Sequence, residues 1–394
     1  MSTLNVETIN GLTSLSVGNT SVNTAITPTS INVETINGLT SLSVGNTSVN
    51  TAITPTSIVQ GGLNFRQPKN YIVNPGMRIS QENGTSSGTT NAYYPVDQWV
   101  FFHSQDGTLT TQQVSSATPG GSENRIRMTV TSADTSLAAG QYALLIQYIE
   151  GLRTADLQWG TANAVDVVLR FGFKGPAGTY AVAMVNQDTN RTFVREFTIS
   201  GGDANTDTLQ TLTFPGDTSG TWNKDNTLSL RLFFTFATGS TFQTTADAWQ
   251  SGFHLGTSST SNGIGNTSDV FEIFDVGMYA DPDSTGVAPR FELPHYDADL
   301  LECQRYYVQF NNVITYYPGS RSFSVYESTQ LPTDMRVTPS VSVVSQFQYW
   351  SGGTRINFTP SFGVAGRRIS IQGTGLTNAT GMAGSGVGAA NARM

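Results

Sequence analysis

The sequence predicts an all-β protein on three grounds: a letter-for-letter repeat rich in turn dipeptides, a long series of period-two apolar segments, and a composition poor in charge and rich in glycine. Charged residues make up 12% of the 394, about half the ~25% usual for soluble domains, so hydroxyl and amide groups must cover much of the surface. The net charge of −8 argues against nucleic acid or anionic membrane as a partner, since both call for a basic patch. A lone cysteine, Cys303, cannot close an internal disulfide, which leaves packing and oligomerisation to supply stability. No run approaches 18 apolar residues, so no membrane insertion is expected. The opening MSTLNVETIN has neither the basic region nor the apolar run of a signal peptide. Release by cell lysis is then the expected route to the outside.

The first element is the repeat. Asn5 to Ser30 (NVETINGLTSLSVGNTSVNTAITPTS) recurs unchanged from Asn32 to Ser57, a period of 27 residues. Such a period signals stacked copies of one supersecondary unit. Val6, Ile9, Leu12 and Leu15 are spaced by three, but Thr, Ser, Asn and Gly between them are poor helix formers. Asn10-Gly11, Gly18-Asn19 and Pro28 mark turns, so short strands fit better. These carry too few apolar side chains for a core of their own. Winding three identical chains about one axis would supply it, which predicts a trimeric β-stem over residues 1–62. A disordered Ser/Thr/Asn-rich linker is the competing reading.

Residues 63–288 read as a sandwich. Ile126, Met128 and Val130 alternate with polar neighbours, as do Val165 to Phe173, Tyr180 to Met184 and Phe193 to Ile199. Leu228, Leu230, Leu232, Phe234 and Phe236 give the cleanest alternation. Phe271, Ile273, Val276 and Met278 close the series, with a break near Phe274 that suggests a bulge. Gln141 to Leu152 is taken as a strand ending at Gly151, because Tyr, Ile and Leu dominate it. Eight or so strands without a long helix point to a two-sheet jelly roll.

Two runs carry a family resemblance. NYIVNPGMRISQENG (Asn70 to Gly84) with YYPVDQW (Tyr93 to Trp99) resembles the opening of the jelly-roll module in fibre proteins of tailed bacteriophages. FEIFDVGMYAD (Phe271 to Asp281) followed by PRFELPHYDADLLECQRYYVQF (Pro289 to Phe310) is similar to that module's closing strand and exit. The resemblance spans roughly Asn70 to Phe310 and implies a virion fibre, commonly an intertwined homotrimer, with a sandwich related to carbohydrate-binding modules. Its implied partners are a second and third copy of itself, a virion attachment protein reached through the stem, and host surface polysaccharide. Its implied place is the exposed surface of the virion, on a tail fibre or on a head, neck or collar fibre.

The same motifs have a physical reading. Asn74-Pro75-Gly76 is a turn expected to set Tyr71, Ile72 and Val73 on one strand and Met77 and Ile79 on the next. Trp99, among Val100, Phe101 and Phe102, reads as a core anchor. Asp299 and Glu302 have capping-box spacing ahead of a short helix in a 289–310 linker. Leu300, Cys303 and Tyr307 would share one face of it, with Cys303 a small buried hydrophobe. Strands at Val313 to Tyr317, Ser322 to Tyr326, Val341 to Tyr349 and Arg355 to Thr359 make a small β domain over 311–394. Its tail, GTGLTNATGMAGSGVGAANARM, gives no regular strand pattern.

Catalytic chemistry is scarce, and no enzyme activity or cofactor is expected. His103, His254 and His295 lack zinc-site spacing, and no nucleophile elbow or phosphate loop occurs. Asp97, Asp106, Glu150, Asp166 and Glu272 could pair for glycoside hydrolysis, though no spacing singles out two. Asp203, Asp207 and Asp217 lie in loops that could hold calcium, but turn formation explains them as well; no metal is expected. Sugars are gripped by exposed aromatic faces with hydroxyl and amide partners. Trp222 and Trp249, in turn-rich SGTWNKDN and TADAWQSG, and Tyr349 and Trp350 before a Ser-Gly-Gly turn, are the expected glycan contacts.

Overall fold

The computed structural model describes residues 68–314, 322–351, 354–377 and 384–394. The repeat, and with it the expected stem, lies outside these residues, as do the side chains of Tyr349 and Trp350. The chain is all-β, as its alternation predicts. The first strands are β1 (Tyr93–Val96), β2 (Trp99–Ser104), β3 (Thr108–Ser115), β4 (Asn124–Ser132) and β5 (Tyr142–Glu150). A single helical turn, α1 (Gly151–Thr154), leads to β6 (Val167–Lys174), β7 (Gly178–Asn186) and β8 (Arg191–Ile199). Then come β9 (Thr208–Phe214), β10 (Leu228–Thr238), β11 (Trp249–Ser251) and β12 (Val270–Ala280).

These twelve form two antiparallel sheets, ordered β1-β2-β5-β10-β7-β8-β11 and β3-β4-β12-β6-β9. Alternate residues of each sheet, such as Leu232 and Phe234 on β10 and Phe171 and Phe173 on β6, meet in one core. The break in β12 is a real bulge. Its pairing with β6 shifts register between Phe274 and Gly277, and Asp275 takes φ 50°. The extra residue moves the core face from Phe271 and Ile273 to Val276 and Met278.

The Asn74-Pro75-Gly76 turn differs from its expectation: its flanks are not ladder strands. The segment from Tyr71 to Met77 is buried as an irregular loop, so its backbone needs partners that a sheet would otherwise supply. Side chains supply them. Gln147, pointing inward from β5, accepts from Val73 N–H at 3.0 Å and donates to Val73 C=O at 2.8 Å. Asn74 donates to the carbonyls of Ile79 and Asp97 and accepts from Ile79 N–H. Trp99 Nε1 donates to Asn74 C=O and Gln113 to Met77 C=O. Trp99 is fully buried, an anchor as expected.

Helix α2 (Tyr296–Gln304) is present, but it is not capped as the spacing suggested. It starts at Tyr296, so Asp299 is already inside it, buried and paired with Arg78 at 3.2 Å. Leu300 and Cys303 pack against Val73, Ile79, Tyr306 and Met394; Tyr307 instead opens the next strand.

That strand is β13 (Tyr307–Ile314), followed by β14 (Ser322–Gln330), β15 (Ser340–Ser345), β16 (Phe347–Ser351) and β17 (Thr354–Phe358). The expected single strand Val341 to Tyr349 is therefore two, broken at Gln346. β18 (Ser361–Ala365), β19 (Arg368–Thr377) and β20 (Gly384–Asn391) were not legible as strands. The Gly/Ala-rich β20 is nonetheless the central strand between β13 and β15. Its glycines leave room for aromatic rings: a Cβ on Gly386 would lie 2.4 Å from Phe347 and one on Gly388 2.3 Å from Phe310. Arg66 to Met394 form one compact unit.

Gln147→Leu keeps the size of the side chain but strips both partners from Val73. With each of the two orphaned backbone groups costing about 1–3 kcal/mol, denaturant unfolding of the full chain should show a loss of roughly 2–6 kcal/mol. A loss under about 1 kcal/mol would mean the loop does not depend on this contact.

Candidate functional site

The outer face of a sandwich sheet is ordinarily polar. On the seven-stranded sheet it is not. Strand β5 (YALLIQYIE) is apolar on both parities: Ala143, Leu145 and Ile149 enter the core, while Tyr142, Leu144, Ile146 and Tyr148 face outward. Doubled apolar residues do the same on its neighbours. Phe101 and Phe234 face in, and Phe102 and Phe233 face out. The register sets Phe102 opposite Leu144, Ile146 opposite Phe233, and Tyr148 opposite Arg231.

The segment 239–256 folds back over part of this face. Thr235 Oγ1 donates to Leu255 C=O and Thr192 Oγ1 to Gly252 C=O, both at 2.7 Å. Phe253 packs edge-on against Phe233 and Phe242, at 5.8 and 5.7 Å between ring centroids. An open cleft of about 160 Å³ remains. Buried Leu144, Ile146 and Phe233 form its floor, and half-buried Phe102, Tyr142, Tyr148 and Phe253 its rim. Thr189 and Arg231 are its polar end. Arg231 Nη1 donates to the carbonyls of Asn186 at 2.6 Å and Gln187 at 2.8 Å, tying the β7–β8 turn to β10. Burial holds the Arg231 guanidinium below its usual pKa, against the opposing effect of Tyr148 and Asp188. Burial raises the Tyr148 phenol, with Arg231 opposing.

Neither Trp222 nor Trp249 lines this cleft. Trp222, expected to be exposed, is buried: its Nε1 donates to Asp217 at 3.1 Å, and its ring stands edge-on to Trp159 and Trp249. Polar neighbours in the sequence signalled a loop, but the loop folds over the tryptophan. Trp249 is half-buried at the sheet edge, its Nε1 donating to Pro215 C=O and its ring edge-on to Phe193. The signal that could have found the cleft was the doubling Phe101-Phe102, Leu144-Leu145 and Phe233-Phe234.

Most of the acidic candidates are engaged elsewhere. Glu150 accepts from Arg305 and Tyr306, and Glu272 from Arg125 and Arg127. Asp166 binds Gly216 N–H and Ser284, while Asp106 N–H donates to Asp134. Of the loop aspartates, Asp207 pairs with Arg125, Asp217 with Arg191, and Asp203 closes a turn with Ser200. Among the described residues, no three His, Cys, Asp or Glu side chains are grouped to hold a metal ion.

No family model matches the chain. No curated protein matches it either. Solved structures similar to it include a putative sugar-binding protein from Bacteroides thetaiotaomicron (15% identity, TM-score 0.32), covering 54% of this chain and 100% of that one. A tailspike enzymatic domain of bacteriophage CBA120 (13%, 0.30) aligns over 54% of this chain, which spans only 21% of that protein. A family 11 carbohydrate-binding module from Clostridium thermocellum (13%, 0.24) aligns over 50% and 96%. At such similarity the chemistry of the site has to come from its own residues.

Asp97 is the buried carboxyl with the clearest linkage to pH. Burial pushes it up to about 6, while its hydrogen bonds from Gln81 and the charge of Arg393 oppose the shift. The folded state therefore holds this proton more tightly than the unfolded chain, so its contribution is full below pH ~4 and is lost as pH rises through about 6. Asp97→Asn should remove that contribution. The stability difference between variant and parent should change by about 2–3 kcal/mol between pH 4 and 7.5, read from unfolding midpoints, and a flat difference would reject it.

Proposed function

We propose that this chain is a non-enzymatic fibre protein of a tailed bacteriophage that holds cell-surface polysaccharide in the outer cleft of its sandwich. One observation carries the binding reading: the outer sheet face bears four aromatic rims around an apolar floor, closed by a hydroxyl and a guanidinium. Sugars present apolar C–H faces and a ring of hydroxyls, and such a surface satisfies both. The phage reading is supported by the motif runs around Asn70 and Phe271 to Phe310. The repeat supports a homotrimer whose stem attaches to the virion, leaving the β domains on the particle surface.

A head, neck or collar fibre is the second reading. There the same cleft would hold particles near cells by weak, multivalent contacts. Gold-labelled antibody on intact particles separates the two: label at the distal tail supports a receptor-binding tail fibre, and label at head or neck the appendage. A glycan-cleaving tailspike is a weaker third reading, since Glu150 and Glu272 serve ion pairs and Asp97 and Asp166 accept structural hydrogen bonds. Trp249 at the sheet edge stays a candidate contact outside the cleft, and Tyr349 and Trp350 stay candidates whose side chains lie outside the described residues.

Two outcomes test this. Tyr148→Ala should weaken binding of the full chain to its polysaccharide about ten-fold, near 1.4 kcal/mol, in calorimetric titration, with the unfolding midpoint little changed. Unaltered affinity would move the site away from the cleft. Light scattering should give an elongated particle of about three chain masses, and a monomer that keeps cell binding would sink the stem reading.

A further inference from the structure

The polar end of the cleft carries information about the ligand, given the glycan reading above. The sandwich couples most of its arginines to carboxylates: Arg78, Arg125, Arg127, Arg153, Arg191 and Arg195 each have an acidic partner. Arg231 has none among the described residues. Its Nη1 is spent on two carbonyls, which fixes the guanidinium plane, and its Nε and Nη2 have no protein partner there. The charged neighbour is Asp188 on the β7–β8 turn, whose carboxylate takes Gln187 Nε2 at 3.1 Å. The remaining lining near it is Tyr148, Thr189 and apolar side chains. Asp188 offsets the desolvation of this half-buried cation only through space, without an ion pair, which leaves the guanidinium able to take a direct anionic partner. An immobilised guanidinium fork matches a planar carboxylate through two parallel N–H donors.

We propose that the cleft selects an acidic polysaccharide, with the carboxylate of a uronic-acid unit paired to Nε and Nη2 of Arg231 and adjoining sugar rings lying against Tyr148 and Phe102. The outward positions of β5 from Tyr142 to Tyr148 extend about 20 Å along the strand, enough for an oligosaccharide rather than one ring. The chain's net charge of −8 does not oppose this at short range. At physiological ionic strength, distant charges are screened beyond about 8 Å, and the local pair decides.

The test is made on the ligand first, so that it does not depend on a variant folding. The full chain is titrated calorimetrically with alginate, polygalacturonate and hyaluronan, each beside its carboxyl-reduced neutral counterpart. The expected result is at least about ten-fold tighter binding of one acidic polymer than of its reduced form, the difference worth one charge-assisted pair. Equal binding of both forms overturns the acid preference and leaves the glycan reading standing. If none of the six binds, the acid preference falls. A neutral glucan and galactan panel then decides the cleft: binding there keeps the glycan reading, and none removes it too. Arg231→Gln should weaken binding of the acidic polymer at least about five-fold more than binding of its reduced form, the ratio of the two affinities being the readout, and Arg231→Lys should restore part of that ratio. Equal loss for both polymers in Arg231→Gln would assign Arg231 to holding the β7–β8 turn and overturn the proposal.

Discussion

The structure depends on burying an irregular loop without stranding its backbone. The segment from Tyr71 to Met77 lies in the core, where a missing partner costs about as much as a lost core methylene or more. Gln147 provides both bonds to Val73, and Asn74, Gln113 and Trp99 provide others. The loop then acts as a joint. Tyr71 N–H reaches Met278 on β12, Val276 N–H reaches Pro75, and Val73 and Ile79 form the seat for α2 and the C-terminal Met394.

Charged contacts continue from that seat into the terminal sheets. Glu150, at the end of β5, receives Arg305 and Tyr306 just after α2. Arg393 lies between the rings of Tyr94 and Tyr307, its guanidinium carbon 3.8 and 3.9 Å from their centroids. Buried ion pairs contribute little net stability, but removing one partner strands the other at a cost of roughly 3–5 kcal/mol. They therefore fix geometry more than they add stability.

Strand β5 links the architecture to the outer cleft. Its inward Gln147 holds the loop, and its outward Ile146 and Tyr148 build the cleft. A strand buried on one face and half-covered on the other gives rigid side-chain positions. Such rigidity lowers the entropy a ligand would have to overcome on binding there.

Much of the sandwich was legible because a strand's side-chain period is two, and the core face shows in residues such as Leu230 to Phe236 and in the break at Phe274. Trp99 as an anchor and Cys303 as a buried hydrophobe follow from local apolarity. The cleft was not legible, because doubled aromatics show that both faces are apolar but not which partner covers each. Trp222 reads as exposed only until its loop folds over it. Gly-rich β20 has no strand pattern of its own; Phe310 and Phe347, dozens of residues earlier, fill the space where its side chains would stand. By itself the sequence determined the periodicity and the repeat. Only the tertiary structure decided which apolar face stays open, because that depends on what segments distant in the chain leave uncovered.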